Sequence, residues 1–187
     1  MQPPRSVLIA GALLLAACAG DGFKPRPAPE PAKPVELSRY LGRWYEIARY
    51  PNRFEEGCEA VTAEYARRPD GLISVTNTCR KGSPTGPVSQ AEGRAKVAGD
   101  DGAKLKVSFF GPFFSDYWVL DRAEDYSWAL VGDSRGGLFW ILARTPDPPN
   151  RAELVRRAEA LGYEPARLIF PRHAPAASAQ ARGDGPS

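Results

Sequence analysis

The chain has 187 residues, 25 Lys and Arg against 22 Asp and Glu, 43% hydrophobic residues, three cysteines, one histidine and one methionine. That length suits one domain with tails and allows a sizeable core, while a scattered net charge of +3 argues against a nucleic-acid binder. The single histidine, His173, lies close to the C-terminus, which argues against His-based catalytic triads and His-ligated zinc or haem, so neither metal nor cofactor is expected.

Residues 1–17 carry one charge, Arg5, and then an unbroken apolar or small run over 7–17. The run is too short to cross about 30 Å of hydrocarbon but suits the h-region of a secretory signal. It ends in Leu15-Ala16-Ala17-Cys18, which resembles the lipobox of bacterial lipoproteins. The resemblance implies cleavage before Cys18, acylation of Cys18 and a membrane held through this N-terminal lipid anchor. An ordinary signal cut after Ala19 is the alternative, because Ala17-Cys18-Ala19 also fits the small-x-small rule. In Gram-negative lipoproteins an aspartate after the cysteine favours the inner membrane; Ala19 at that place implies the outer membrane, facing the periplasm. Residues 18–37, with Pro25, Pro27, Pro29, Pro31 and Pro34, read as an extended tether. Residues 171–187, rich in Ala, Pro, Gly and Ser, read as a disordered tail. The folded domain is then 38–170.

Turn clusters divide this domain every 10–15 residues, among them Pro69-Asp70-Gly71, Gly82-Ser83-Pro84 and Gly111-Pro112. Between them the residues alternate as strands do. In Lys104–Phe109, Leu105, Val107 and Phe109 share one face; in 90–97, Ala91, Gly93, Ala95 and Val97 do. Strands are expected near 43–50, 59–66, 72–79, 88–97, 104–110, 117–121, 126–131 and 138–144. Short connections make sequence neighbours antiparallel, which favours an all-β, eight-stranded up-and-down β-barrel over a two-sheet sandwich. One α-helix follows Pro148-Pro149, capped by Asn150, with Leu154, Ala158 and Leu161 on one face and Gly162 at its end. Residues 168–170 offer a short final strand.

Gly42-Arg43-Trp44-Tyr45-Glu46-Ile47-Ala48-Arg49, Arg53-Phe54-Glu55, the segment from Leu105 to Phe113 and Trp140-Ile141-Leu142-Ala143-Arg144-Thr145-Pro146 follow in order. This set resembles the lipocalins, in particular the bacterial outer-membrane lipoprotein type of the apolipoprotein D-like subgroup, over nearly all of 38–170. The usual Thr-Asp-Tyr of the second lipocalin motif stands here as Glu124-Asp125-Tyr126. In a closed eight-strand meander Trp44 and Arg144 meet at one end, where an arginine over an indole gains roughly 0.5–2 kcal/mol; in lipocalins such a pair plugs the closed end.

The strand faces, chosen with that resemblance, put Val61, Ala63, Tyr65, Ile73, Val75, Asn77, Ala91, Gly93, Ala95, Val107, Phe109, Tyr117, Val119, Trp140 and Leu142 inside. Ala129 and Val131 join them if Trp128 points out. The lining is apolar, with Asn77 and the hydroxyls of Tyr65 and Tyr117 as polar handles, and its small strip on the fourth strand points to a hollow barrel. The family implies a carrier of a long-chain amphiphile, a fatty acid or lysophospholipid, with no catalytic residues. The mouth loops carry Arg53, Arg80, Lys81 and Arg135 but also Glu55, Glu56, Asp116 and Asp133, and Phe113 and Phe114 either touch a membrane or cover the mouth. Cys58 and Cys79 read as a disulfide in an oxidising envelope, although the assigned faces put them one residue out of phase, so a bulge or an irregular strand end is required. The alternatives are a lipocalin-fold enzyme acting through Cys58 or a pocket tyrosine, and an envelope interaction protein with a filled barrel.

Overall fold

The computed structural model describes residues 24–174. The signal segment, Cys18 and residues 175–187 of the expected tail lie outside the described residues. Eight strands follow one another: β1 (Gly42–Arg49), β2 (Cys58–Arg67), β3 (Ile73–Lys81), β4 (Val88–Val97), β5 (Lys104–Phe110), β6 (Phe113–Arg122), β7 (Trp128–Gly132) and β8 (Phe139–Ala143). Each pairs antiparallel with the next, and β8 closes on β1 with Tyr45 opposite Ala143 and Arg49 opposite Trp140. Closure leaves no sheet edge exposed. The barrel expected from the alternation is therefore the barrel that forms.

Two short helices frame it. α1 (Leu37–Tyr40) precedes β1 and was not expected; it buries Tyr40. α2 (Arg151–Ala160) lies outside the barrel and packs Leu154 and Ala158 against Trp128, Leu130 and Ile141. Trp128 thus points outward, under Arg157 at 5.0 Å, while Ala129 and Val131 point in. β6 starts four residues earlier than expected. Gly111, at φ +56, and Pro112 make a tight turn that brings Phe113 opposite Phe110, so Phe113 and Phe114 begin a strand instead of lying in a loop.

Two one-residue bulges re-aim side chains. In β1, Glu46 faces Leu142 and Ala48 faces Ile141. The extra residue lets Glu46 and Arg49 both point inward, while Ile47 and Ala48 pack with the α2 cluster. In β2, Glu59 faces Arg80 and Thr62 faces Thr78, with Ala60 at φ +47. That bulge supplies the missing residue of phase between the two cysteines, and Cys58 and Cys79 form a disulfide with Cα atoms 5.4 Å apart.

The chain beyond the barrel is also part of the wall. Pairing of β1 with β2 runs only from Gly42 opposite Tyr65 to Tyr45 opposite Thr62, and the C-terminal segment fills the gap above it. Arg49 and Ile169 exchange both backbone bonds at 2.9 and 2.8 Å, and Ala60 N–H donates to the Arg172 carbonyl at 2.8 Å. Arg172 pairs with Glu59, and His173 Nε2–H donates to the Glu46 carbonyl at 2.7 Å. Residues 171–173 therefore belong to the fold and not to a tail. The expected final strand shrinks to the single Arg49–Ile169 bridge, since Pro171 has no N–H to continue a ladder.

The described half of the proline-rich segment is likewise bound. Ala28 N–H donates to Ser134 O at 3.1 Å, Ala32 N–H to Leu120 O at 2.8 Å and Val35 N–H to Asp101 O at 2.8 Å. Lys33 pairs with Glu124, and Glu30 with Lys104. Residues 24–35 form a strap that runs from the β7–β8 loop to the β4–β5 loop along the outer wall.

Candidate ligand-binding site

The two ends of the barrel are built differently. At the end where β1 begins, α1 lies across the opening. The Arg144 guanidinium sits 3.7 Å from the Trp44 ring centroid and donates to the carbonyls of Arg43, Arg39 and Leu41 at 2.7, 2.8 and 2.9 Å. Trp44 Nε1–H donates to Tyr40 O at 2.8 Å. One cation thus satisfies carbonyls left over at the end of α1 and stacks on the indole, which locks this end. Tyr126, at φ +61 in the Glu124-Asp125-Tyr126 turn, accepts a bond from Glu36 N–H and lies between Arg39 and Arg122, each at 4.4 Å.

Above this plug the barrel is solid. Tyr40 packs on Trp44 and Tyr65, and the three hydroxyls of Tyr40, Tyr117 and Tyr65 form a chain with links of 2.7 and 2.8 Å. Burial pushes all three phenols up, so they stay protonated and act as mutual donors. Ile73, Val75, Ala95, Val119, Ala129, Val131 and Leu142 are buried around them, with Leu105. Part of the expected lining is therefore floor: Tyr65, Ile73, Val75, Ala95, Val119 and Leu142 are packed core, and the Tyr65 hydroxyl is already engaged. The missed residue is Tyr40, which enters from an element that the alternation of strands does not reveal.

Toward the other end the inward side chains are only half-buried. Ala63, Asn77, Gly93, Val107, Phe109, Tyr117 and Trp140 line this upper cup, and Ala91 is exposed at its lip. Asn77 Oδ1 is buried without a partner among the described residues. Val61 packs on the Cys58–Cys79 disulfide at the side of the cup.

One wall of the cup is charged, which the predicted lining did not include. Glu46 and Arg49 are 3% and 4% exposed and pair at 2.7 Å. Arg49 also donates to the carbonyls of Glu55 and Cys58 at 3.0 and 3.2 Å. Glu55, expected in a solvated loop, sits at the end of the 3-10 turn Arg53–Glu55 and turns inward. It accepts from Trp140 Nε1–H at 3.0 Å and from the Asn52 amide. Burial, and then the neighbouring Glu55 carboxyl, hold Glu46 well above the ordinary carboxylate range against the pull of Arg49. Three ionisable groups thus carry two carboxyls and one guanidinium. Alternation from Trp44 already puts Glu46 on the inner face. Arg49 comes inward only through the bulge.

Other mouth charges hold loops in place. Arg80 donates to Gly86 O and Lys81 to Glu56 O, while Asp116 pairs with Lys106 and accepts from Ser134. Lys106 lowers the Asp116 carboxyl first and Ser134 second. Cys58, being bonded to Cys79, carries no thiol, which overturns its reading as a nucleophile. Two clefts, of about 300 and 320 Å³, lie outside the wall: one between the strap and the end of α2, the other on the outer face of β3, β4 and β5.

Residues 35–173 match the lipocalin-like domain family. The chain is 42% identical to outer membrane lipoprotein Blc of Vibrio cholerae over 171 residues, covering 87% of this chain and 95% of the relative. It is 41% identical to the Blc lipoprotein of Escherichia coli (strain K12) over 140 residues, covering 72% and 77%. Among solved structures, insecticyanin from the tobacco hornworm Manduca sexta superposes with a TM-score of 0.61 at 24% identity, covering 82% of this chain and 89% of that one. The two Blc relatives are named as outer membrane lipoproteins, and the likeness to insecticyanin speaks to fold alone.

Proposed function

The chain belongs to the lipocalin-like family, and on that premise we propose that it is a non-enzymatic carrier, anchored to the outer membrane through acylated Cys18 and facing the periplasm. Its barrel takes a single long-chain amphiphile, a fatty acid or lysophospholipid, for storage, transport or envelope maintenance. The observation that carries this reading is the contrast within the barrel: a packed floor below, and apolar side chains left half-buried above it. Outward-facing polar loops do not need such a lining. An acyl chain laid on Ala63, Val107, Phe109 and Trp140 gains about 0.8 kcal/mol for each methylene it buries, before the costs of association.

The polar groups of the cup sort the two ends of a ligand. Glu46 and Glu55 lie on the wall with Arg49 already engaged, so an anionic head group is better placed at the rim beside Arg53 and Arg135. The unpartnered Asn77 Oδ1 offers an acceptor to a hydroxyl on the ligand. The enzyme alternative has little to work with: Cys58 is in a disulfide and the tyrosine hydroxyls are bonded to one another and held protonated.

The test is titration of the purified protein with a fluorescent long-chain fatty acid, together with organic extraction of protein taken from its own membrane. Saturable one-to-one binding and a stoichiometric extracted lipid are expected. Ala63→Phe, which fills the cup at a half-buried position, should weaken binding about tenfold through loss of roughly two methylene contacts. Absence of binding to any long-chain amphiphile overturns the carrier reading.

A further inference from the structure

Large apolar side chains are exposed mainly at one end of the molecule. Phe110 and Phe113 are each 79% exposed, Phe54 65% and Val88 56%. They come from the β5–β6 turn, the Arg53–Glu55 turn and the start of β4, and the barrel topology brings all three to the open rim. Among the described residues only Val97, at 45%, is comparable at the closed end, while Ile169 and Phe170, at 41% and 44%, lie beside the end of β1. A ring of separate, exposed phenylalanines gains nothing in water.

Charge follows the same axis. Beside the rim stand Lys24, Arg26, Arg53, Arg80, Lys81 and Arg135, against Glu55, Glu56, Asp116 and Asp133. The closed-end loops carry Asp70, Asp100, Asp101, Glu124 and Asp125 against Arg68, and the plug adds Glu36, Arg39 and Arg144. Apolar side chains ringed by cations are the composition that seats in the headgroup boundary of an anionic bilayer, and the acidic end is the one such a surface repels.

The strap fixes the direction. It meets the rim at the β7–β8 loop, where Ala28 bonds Ser134 and a Cβ on Gly136 would lie 1.9 Å from the Arg26 carbonyl oxygen. Lys24 therefore leaves the barrel at its open end. Only five residues, 19–23, separate it from Cys18, and the six residue steps reach at most about 20 Å however they run. An anchor at Cys18 holds the mouth, and not the floor, next to the bilayer.

We propose that the open rim is a membrane-docking surface, with Phe54, Val88, Phe110 and Phe113 seated in the headgroup boundary of the bilayer that holds the anchor, so that ligand passes between bilayer and cup without crossing water. This rests on the anchored-carrier reading above. The experiment uses the full lipidated protein in vesicles of phosphatidylethanolamine and phosphatidylglycerol. Spin labels are placed at Phe113→Cys and, as a closed-end reference, Asp100→Cys; Cys58 and Cys79 are bonded and Cys18 is acylated, so each variant has one free thiol. The label at 113 should show a ratio of oxygen to water-soluble nickel collisions about tenfold higher than the label at 100, as expected for burial 5–10 Å deep. Equal ratios, or a deeper label at 100, overturn the proposal. A label at 113 shielded from both reagents indicates cover by protein and overturns it too.

A second arm uses the triple variant Phe54→Ser, Phe110→Ser, Phe113→Ser. Transfer of a fluorescent fatty acid from vesicles into the cup should slow about tenfold, while its affinity measured in water stays unchanged. Transfer at the wild-type rate overturns docking as the route. If the wild type binds no amphiphile and the label at 113 is still buried, the carrier reading falls and the docking geometry stands.

Discussion

Glu46 and Arg49 show how much a single inserted residue decides. Without the bulge at 47, Arg49 would face α2 and Glu46 would be a lone buried acid. With it, the two pair at 2.7 Å beside Glu55. The raised Glu46 carboxyl sets a sign for pH dependence. A group whose folded pKa lies above its unfolded value, about 4.3 for Glu, favours the fold while protonated. Its contribution is full below that unfolded value and is lost as pH rises through the folded one. Glu46→Gln keeps the shape and the neutral state at every pH. Urea midpoints measured from pH 4 to 9 should therefore fall for wild type relative to Glu46→Gln as pH rises. A wild type that instead gains on the variant shows Glu46 ionised against Arg49. Half of this site was legible in the sequence: Glu46 shares the face of Trp44, whereas period-two alternation places Arg49 outside and cannot see a bulge.

The strands were the legible elements, because alternation and turn residues report directly on a half-buried sheet. β6 extended beyond its expected start since a Gly-Pro turn was read as the end of pairing instead of its tightest point. The two segments flanking the domain were the illegible ones, for the same reason at both ends. Proline-rich and Ala-Pro-rich chain has no internal hydrogen bonds, so composition cannot tell a free segment from one that bonds to another element. Between the prolines of the strap, the N–H groups of Ala28, Ala32 and Val35 recur every three or four residues and meet carbonyls of the wall. Gly136 is the contact that admits the strap at the rim. Gly136→Val should push it off there, raising amide exchange at Ala28 about tenfold, equivalent to roughly 1.4 kcal/mol of local opening. Exchange at Ala129 and Leu130, deep in β7, should stay as in wild type. Unchanged protection at Ala28 would show that the strap is held from elsewhere.

At the scale of the whole molecule, the packed floor and the half-buried cup occupy opposite ends. The closed end combines the Trp44–Arg144 stack, the tyrosine chain and the buried aliphatics. The open end carries half-buried apolar walls and the charged cluster. Most of the expected lining lies in or against the inner cluster and leaves less space than expected, because volume is set by Tyr40 and α1, which lie outside the strands. A ligand that binds only the folded barrel adds stability by mass action. At one hundred times its dissociation constant, a bound fatty acid should raise the unfolding free energy by about 2.7 kcal/mol, read as a concentration-dependent shift of the thermal midpoint. A midpoint that does not move with fatty acid concentration counts against a single site in the barrel.

The strap also decides how the anchor line bears load. The strap lies along the wall with its N-terminal end at the rim, so tension from beyond the rim acts along its length on the bonds at Ala28, Ala32 and Val35. Because the pull lies along the strap and across its hydrogen bonds, the bonds are loaded in shear and resist together, and not one at a time as in a zipper. Each residue released frees about 3.4 Å of leash. Releasing residues 24–34 frees about 37 Å of chain and moves the point of attachment from the rim to Val35 at the closed end. The β-sheet is untouched throughout, and only the Val35 bond and α1 then stand between the pull and the floor of the barrel.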